Sequence, residues 1–211
     1  MRRALVVGNS DLPPRDILDP WLQRADFIVA ADGGANRLLA LGITPDFVVG
    51  DMDSVLGSTR RRLPKGAFHP RKSVYRTDLE KSVEFAASRG ADDVTVFGAS
   101  KGRLDHVTAA LAVLLEWSQR LGIRLVDEDF VTQAVRGKAR FAAPIGTLVS
   151  LYAPTKARGV TTKGLRWPLK DATLQRGTLG IHNFVVSSPV EVAADSGELV
   201  VFRGQRVEPH G

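Results

Sequence analysis

Four aspartates are the residues of this sequence best suited to do chemistry, because each is expected at a strand end or a helix start. They are Asp51, Asp53, Asp78 and Asp105. Two carboxylates about 4 Å apart repel by roughly 4 kcal/mol at an effective dielectric constant near 20. A group of them therefore needs raised pKa values or a bound cation. Ligand atoms that are all oxygen favour a hard ion, so Mg²⁺ is expected before Zn²⁺.

Asp51 and Asp53 occur in the segment Gly-Asp-Met-Asp-Ser directly after the apolar run Phe47–Val49. In an extended segment, residues two apart point to the same side. Ligands of parallel-sheet proteins bind beyond the carboxyl ends of the strands. Two acids separated by one apolar residue are thus more typical of a cation site than of a structural turn.

A glycine-rich loop, Gly98–His106, contains Lys101 and Arg103 and leads into a helical pattern. Backbone N–H groups at such a helix start can cradle a phosphate, and the Arg103 guanidinium can bind two phosphate oxygens. A structural interpretation stays open here, with Asp105 as a helix-start acid and His106 as a packed imidazole.

Two further segments place glycine or acidic residues at the expected start of a helix. In Ala31–Asn36, two glycines allow a phosphate or ribose to approach the backbone, although Asp32 could also only cap the helix. In Thr77–Lys81, Thr77 and Glu80 have capping-box spacing. Lys81 follows Asp78 by three residues, so the two side chains can share a helix face that meets a phosphate.

Apolar periodicity over the first 126 residues or so alternates between strand and helix patterns. The expected strands are Leu5–Val7, Phe27–Ala30, Phe47–Val49, Val94–Phe97 and Ile123–Val126, and the expected helices are Ala35–Leu41, Asp78–Ser88 and Leu104–Leu121. This alternation predicts an α/β domain, Rossmann-like, with a mostly parallel sheet and helices on both faces.

Helical periodicity disappears after about Asp129, and short strand patterns follow at turn-rich spacing. They are Thr132–Val135, Ala139–Ala142, Thr147–Tyr152, Gly159–Thr162, Phe184–Val186, Val190–Ala193 and Leu199–Phe202. A C-terminal all-β sandwich is expected. We therefore predict two domains, residues 1–129 and 130–211.

The composition of the chain excludes several classes of function. The chain has 211 residues, a formal charge of +6 and no cysteine, which excludes disulfides and thiolate chemistry and is compatible with the cytoplasm. The basic cluster Arg60–Arg62 with Lys65 has no interleaved aromatic residues and predicts a solvated helix face rather than nucleic-acid binding. The apolar runs predict no membrane span, and the first, Ala4–Val7, is too short for a signal peptide.

Taken in order, these motifs resemble those of the thiamine pyrophosphokinase (thiamine diphosphokinase) family. The resemblance covers most of the chain. It is carried by Ala31–Asn36, Pro45-Asp46, Gly50–Ser54, Thr77-Asp78, Gly102–His106, Gly164–Leu169 and Gly180–Asn183.

The resemblance implies an enzyme that transfers pyrophosphate from ATP to thiamine with Mg²⁺, and a homodimer in which thiamine lies where one subunit's α/β domain meets the partner's sandwich. It implies that Asp51, Asp53, Asp78 and Asp105 hold the metal and triphosphate, with Arg103 also catalytic. The residues implied in ATP binding are Asp32, Asn36, Ser54, Thr77, Lys81, Gly102 and His106, and those implied in thiamine binding are Trp167, His182 and Asn183.

The sequence departs from the family pattern at two positions. His182 stands where the family usually has serine, and Tyr75 stands where it usually has an acidic residue. Two alternatives therefore remain beside thiamine pyrophosphorylation. One is a pyrophosphokinase for a different alcohol, and the other is a non-catalytic relative that binds nucleotide.

Overall fold

The computed structural model describes residues 1–207, and the chain divides into two compact units, the first Met1–Glu128 and the second beginning at Asp129. No helix of the described residues is long and apolar enough to cross a membrane.

The first unit is built on a parallel sheet. Its strands are β1 (Arg3–Val7), β2 (Phe27–Ala31), β3 (Phe47–Gly50), β4 (Phe68–Pro70), β5 (Asp93–Phe97) and β6 (Gly122–Val126). They lie in the order β6-β5-β1-β2-β3-β4, and all five neighbouring pairs are parallel. Ala4–Val7 of β1 is buried throughout, as expected for a strand covered on both faces. The predicted α/β class is confirmed.

Five α-helices accompany this sheet in the first unit. They are α1 (Arg15–Leu22), α2 (Gly34–Ala40), α3 (Gly57–Arg62), α4 (Asp78–Ser88) and α5 (Leu104–Trp117). Periodicity did not predict α1 or α3, because each has at most eight residues and α1 contains Pro20. Helix α5 ends at Trp117 rather than at Leu121, and the Ser118 hydroxyl there donates to the Leu115 carbonyl that a longer helix would use.

The second unit consists of antiparallel strands in two groups. They are β7 (Phe130–Val135), β8 (Lys138–Phe141), β9 (Thr147–Tyr152), β10 (Ala157–Lys163), β11 (Ala172–Leu174), β12 (Asn183–Phe184), β13 (Val190–Ala193) and β14 (Leu199–Val207). The groups are β12-β9-β14-β7 and β11-β10-β13-β8. Side chains from both groups, including Leu151 and Val192, share one buried core. This arrangement is the expected β-sandwich. It contains one further strand, β11, that the sequence did not predict.

Candidate functional site

Three carboxylates lie together at the carboxyl edge of the parallel sheet. Asp32 follows β2, Asp51 follows β3 and Asp78 begins α4, and their ligand oxygens lie within 4.8 Å of one another. We call these residues the acid cluster. Parallel strands end at the same edge of a sheet, so the two strand-end acids meet there. Sequence reasoning assigned Asp51 and Asp78 to a metal but placed Asp32 only on the nucleotide side.

Asp32 is the buried member of the acid cluster, with 4% of its surface exposed. Its Oδ2 accepts a hydrogen bond from the Ser54 backbone N–H at 3.1 Å, whereas its buried Oδ1 has no partner among the described residues. Burial raises the pKa of Asp32 from 3.8 to about 6, and the neighbouring Asp53 and Asp78 carboxylates act in the same direction. An unpartnered carboxylate oxygen in this position suits a cation.

Asp53 lies beside the acid cluster and is exposed. Its backbone N–H donates to Asp51 Oδ1 at 3.1 Å, and its own carboxylate accepts from the Ser54 hydroxyl at 2.8 Å. The hydrogen bond from Ser54 lowers the pKa of Asp53 below its ordinary value, with a further contribution from the Asp32 side chain. Asp53 is therefore ionised at neutral pH and faces solvent, and its role as a metal ligand stays a prediction.

Gly50 allows the acid cluster to be compact. A Cβ atom at this position would lie 2.8 Å from the Asp32 Cβ and 3.1 Å from the Asp78 Cγ. Real Cβ atoms essentially never approach a carbon at 2.8 Å, so any other residue would displace the Asp32 side chain. The glycine at the end of β3 thus sets the spacing of the carboxylates.

Lys81 supplies a cation to the acid cluster. Its Nζ lies 2.8 Å from Asp78 Oδ1, and its side chain is only 6% exposed. Thr77 positions this helix start, because its Oγ1 accepts from the Glu80 backbone N–H at 3.2 Å, which confirms the predicted N-cap. Tyr75, two residues earlier, is 94% exposed.

The donor set of the acid cluster fits Mg²⁺. The ligand atoms of the acid cluster are all carboxylate oxygens, one of which is buried and has no partner in the described part of the chain, and Mg²⁺ prefers such hard ligands. Lys81 offsets one negative charge and leaves the remaining carboxylates to attract a divalent ion. The arrangement can therefore hold Mg²⁺ and present it to phosphate oxygens.

Asn36 joins the loop after β3 to helix α2. Its Nδ2 donates to the Ser54 carbonyl at 2.8 Å, and its Oδ1 accepts from the Leu56 N–H at 3.1 Å. The amide satisfies two backbone groups of one loop, so Asn36 holds that loop in shape. In this structure Asn36 and Ser54, both expected to bind ATP, are joined directly.

The loop after β1, which sequence reasoning missed, lies beside the glycine-rich loop after β5. The Gly8 N–H donates to the Phe97 carbonyl at 2.8 Å, and the Ser10 hydroxyl donates to the Lys101 carbonyl at 2.7 Å. A Cβ at Gly8 would lie 2.4 Å from the Gly98 carbonyl oxygen. The sequence signal for this loop was a glycine directly after the first strand. In the sheet, β1 lies between β5 and β2, which is the point where the strand order reverses.

Arg103 and Asp105 pair with each other rather than joining the acid cluster. The Arg103 Nη2 lies 2.6 Å from Asp105 Oδ2, and both side chains are mostly exposed. This hydrogen bond from Arg103 lowers the pKa of Asp105. His106 donates its backbone N–H to Asp105 Oδ1 at 3.0 Å, and Gly102 is exposed with a φ of 93°. Asp105 as a metal ligand stays a prediction.

In the second unit, the Asn183 side chain forms two hydrogen bonds with the backbone of Trp167. Asn183 is buried; its Oδ1 accepts from the Trp167 N–H at 3.1 Å and its Nδ2 donates to the Trp167 carbonyl at 2.7 Å. The Trp167 side chain is 53% exposed, so it is not plain core. His182 is exposed with a φ of 63°, and its ring lies 5.1 Å from that of Phe184.

Two family models match the chain. "Thiamin pyrophosphokinase, catalytic domain" matches residues 18–126, and "Thiamin pyrophosphokinase, vitamin B1 binding domain" matches residues 140–199. The first covers Asp32, Asp51 and Asp78, and the second covers Trp167 and Asn183.

Curated relatives are similar over most of their length. The thiamine pyrophosphokinase of Bacillus subtilis is 27% identical over 83% of this chain and 86% of its own. Thiamine pyrophosphokinase 1 of Arabidopsis thaliana is 29% identical over 92% and 84%.

Solved structures share the fold. The crystal structure of thiamine pyrophosphokinase from Bacillus subtilis has a TM-score of 0.84 at 23% identity and covers 98% of this chain and 100% of its own. The thiamin pyrophosphokinase from Candida albicans has a TM-score of 0.79 at 16% identity and covers 96% and 88%.

Proposed function

The chain belongs to the thiamin pyrophosphokinase family, and we propose on that premise that it transfers the pyrophosphoryl group of ATP to the hydroxyl of thiamine. The products are thiamine diphosphate and AMP. The observation that carries the proposal is the acid cluster, with its buried, unpartnered Asp32 oxygen, at the carboxyl edge of the parallel sheet.

The acid cluster would hold Mg²⁺, which when bound neutralises charge on the phosphate oxygens of ATP. We assign Asp51, Asp53 and Asp78 as ligands, together with Asp32. Asp105 would act as a ligand once its pairing with Arg103 is exchanged for contact with the triphosphate, because both side chains are exposed and form a pair whose net stabilisation is small.

Arg103 and Lys81 would receive the negative charge of the nucleotide. The Arg103 guanidinium is a planar donor suited to two phosphate oxygens. The Lys81 ammonium group already lies 2.8 Å from a carboxylate of the acid cluster. Thr77, Gly102 and His106 stand at the starts of α4 and α5, where backbone N–H groups attract anions.

Trp167 and His182 would contact thiamine in the second unit. The thiazolium ring of thiamine is a cation, and the face of an exposed tryptophan attracts cations. Arg166 lies over the Trp167 ring, with 5.1 Å from its Cζ to the ring centroid, and Phe184 lies 6.2 Å from it, while about half of the Trp167 side chain stays exposed for a ligand. Asn183 would act by holding the Trp167 backbone in place.

In the reaction, the hydroxyl oxygen of thiamine forms a bond to the β-phosphorus of ATP, and the bond from that phosphorus to the α–β bridging oxygen breaks. AMP departs with the bonding electron pair, and a carboxylate of the site takes the hydroxyl proton. Such transfers depend on positioning and charge neutralisation more than on covalent catalysis. The site residues supply both.

We further propose that the enzyme is a homodimer, which light scattering after size-exclusion chromatography would test. Cytoplasmic placement is proposed from the cysteine-free composition.

Incubation with ATP, Mg²⁺ and thiamine tests the reaction. AMP and thiamine diphosphate should appear in equal amounts and only when all three are present. AMP formed only with another alcohol would favour the alternative acceptor that His182 in place of serine makes conceivable. ATP binding without any turnover would favour a non-catalytic nucleotide binder.

A further inference from the structure

A cavity of about 420 Å³ lies in the first unit, away from the acid cluster. It is lined by Arg3 and Leu5 of β1, by Asp93 and Thr95 of β5, and by Arg124 of β6, with Trp21 and Arg24 from the end of α1 and the turn after it. Arg3 and Asp93 are the first residues of their strands, whereas the acid cluster follows the last residues of β2 and β3. In a parallel sheet these are opposite edges.

Strand register explains why these side chains meet. Arg3 lies opposite Asp93, and Leu5 lies opposite Thr95, which in turn lies opposite Arg124. Residues two apart on a strand face the same side, so the five side chains form two adjacent rows on one face of the sheet.

A buried ion pair forms part of this wall. The Arg124 Nη2 lies 2.6 Å from Asp93 Oδ1, and its Nη1 lies 3.1 Å from Asp93 Oδ2 and 2.9 Å from the Thr95 hydroxyl. Both charged side chains are largely buried. Gly122 makes room for the pair, because a Cβ there would lie 2.8 Å from Asp93 Oδ1.

A buried ion pair is weak evidence for stability, since desolvation offsets its attraction. The pair is better explained by the hydrogen-bond donors that Arg124 presents to the cavity. The Arg124 guanidinium has five N–H donors in a fixed plane, and Asp93 and Thr95 use three of them. The other two donors have no hydrogen-bond partner among the described residues, and the Asp93 carboxylate fixes the orientation of the guanidinium.

The cavity carries excess positive charge. Arg3 and Arg24 are exposed, and no carboxylate of the described residues forms an ion pair with either guanidinium. With Arg124 balanced by Asp93, the lining is left with two uncompensated cations. Guanidinium groups that line one cavity are suited to phosphate.

Part of the cavity lining is apolar and aromatic. The Trp21 ring is half-buried and lies 5.4 Å from the Arg124 Cζ, and Leu5, Ala4 and Ala25 also line the cavity. A volume of about 420 Å³ falls within the range of about 300–1,000 Å³ for small-molecule sites. The lining therefore has one cationic part and one part suited to a flat ring.

We propose that this cavity is a second ligand site, which binds a phosphate ester of an aromatic compound. The phosphate contacts Arg3, Arg24 and the free donors of Arg124, and the ring packs against Trp21. AMP and thiamine diphosphate both have this chemistry. Because the site lies at the sheet edge opposite the acid cluster, binding there can be measured without turnover, and the inference does not depend on the proposed function.

Binding can be measured on the full chain without Mg²⁺. Titration of ¹⁵N-labelled protein with AMP in EDTA should shift amide signals at Arg3, Thr95 and Arg124, and the same titration with thiamine diphosphate identifies the preferred source of the phosphate. The double variant R3A/R24A should weaken the affinity of this site at least tenfold. R120A, which removes a half-exposed arginine of the same unit outside the cavity, should leave it within twofold.

The ring contact has its own test. W21L should weaken AMP binding while leaving the affinity for ribose 5-phosphate unchanged. Shifts confined to the loops after β2, β3 and β5 would overturn the proposal, as would equal affinities for R3A/R24A and R120A. Far-UV circular dichroism of each variant establishes that it is folded.

Discussion

Lys81 and Asp78 form an ion pair within the first turn of α4, with 2.8 Å between Nζ and Oδ1. The lysine is almost completely buried, and its partner is also a member of the acid cluster. One carboxylate of the acid cluster is thus paired with a cation that the protein itself supplies. Lys81 therefore has two roles, one in the stability of the metal-free fold and one in the proposed reaction.

Replacing Lys81 with methionine should destabilise the metal-free protein by about 3 kcal/mol, because removing one partner of a buried pair leaves an uncompensated charge. Mg²⁺ should restore more stability to this variant than to the wild type. Urea denaturation with and without Mg²⁺ measures both effects. Lys65, an exposed lysine, provides the control K65M; equal losses for the two variants would contradict the role given to Lys81.

Replacing Asp53 with asparagine should leave the fold intact and lower kcat by about 100-fold or more, since a charge that faces the reacting phosphates is lost. AMP release at saturating Mg²⁺ measures the effect. D16N, which removes an exposed acid of α1, should change kcat little. Activity of D53N within about threefold of the wild type would contradict the metal assignment.

The raised pKa of Asp32 should make the stability of the metal-free protein depend on pH. This pKa is about 6 in the folded chain against 3.8 ordinarily, so the folded state binds the proton more tightly. The metal-free protein therefore loses stability as pH rises through the interval between these values. Each unit of pKa difference corresponds to about 1.4 kcal/mol, which makes the loss about 3 kcal/mol.

D32N should lack this loss. The difference in unfolding free energy between D32N and wild type should grow in favour of the variant from pH 4 to pH 7 in EDTA, as measured by urea denaturation. D16N should instead follow the wild-type curve. A D32N difference that stays constant with pH would contradict the raised pKa.

Gly50 should prove necessary for cation binding. An alanine Cβ would press on Asp32 and Asp78, and disturbed ligand geometry typically lowers metal affinity by about 10–100-fold. Mn²⁺ titration followed by electron paramagnetic resonance measures the affinity. Gly50 has a φ of 154°, and Gly42 also has a positive φ, of 74°, but open space around its Cβ position. G42A therefore carries the backbone strain without the contact and should keep wild-type affinity.

Trp167→Ala should raise the KM for thiamine about tenfold and leave the KM for ATP unchanged, because a cation on an indole face contributes roughly 1–2 kcal/mol. N183A should act in the same direction by releasing the Trp167 backbone, and should also destabilise the fold. I145A removes another exposed apolar side chain of the second unit and serves as the control. Steady-state kinetics with each substrate varied separates these effects.

The sequence predicted the elements that carry long apolar patterns, because burial on a strand or helix face leaves a periodic signal. It missed α1, β4 and β11, which are short, and two of which contain proline; for α3 only a basic helix face at Arg60–Arg62 was expected. Asp51 and Asp78 were recognised from the chemistry around them. Asp32 was not assigned to the metal, because its membership depends on the packing of β2 beside β3, which only the folded chain shows.

The same limit applies to Arg103 and Asp105. Their spacing was recognised, but a two-residue separation does not reveal that the side chains turn towards each other. Nor does sequence show that Gly50 spaces the carboxylates or that Gly122 accommodates Asp93, since both effects act between neighbouring strands.

The two hydrogen bonds between the Asn36 side chain and the loop after β3 have a further consequence. They fix that loop to the first turn of α2 in the absence of any ligand. A preorganised site loses little conformational entropy on binding. Selection among cations at this edge should then follow ionic radius, with a small ion such as Mg²⁺ accepted and a large one such as Ca²⁺ bound less well, because Asn36 already holds the shape of the loop that carries Asp51 and Asp53.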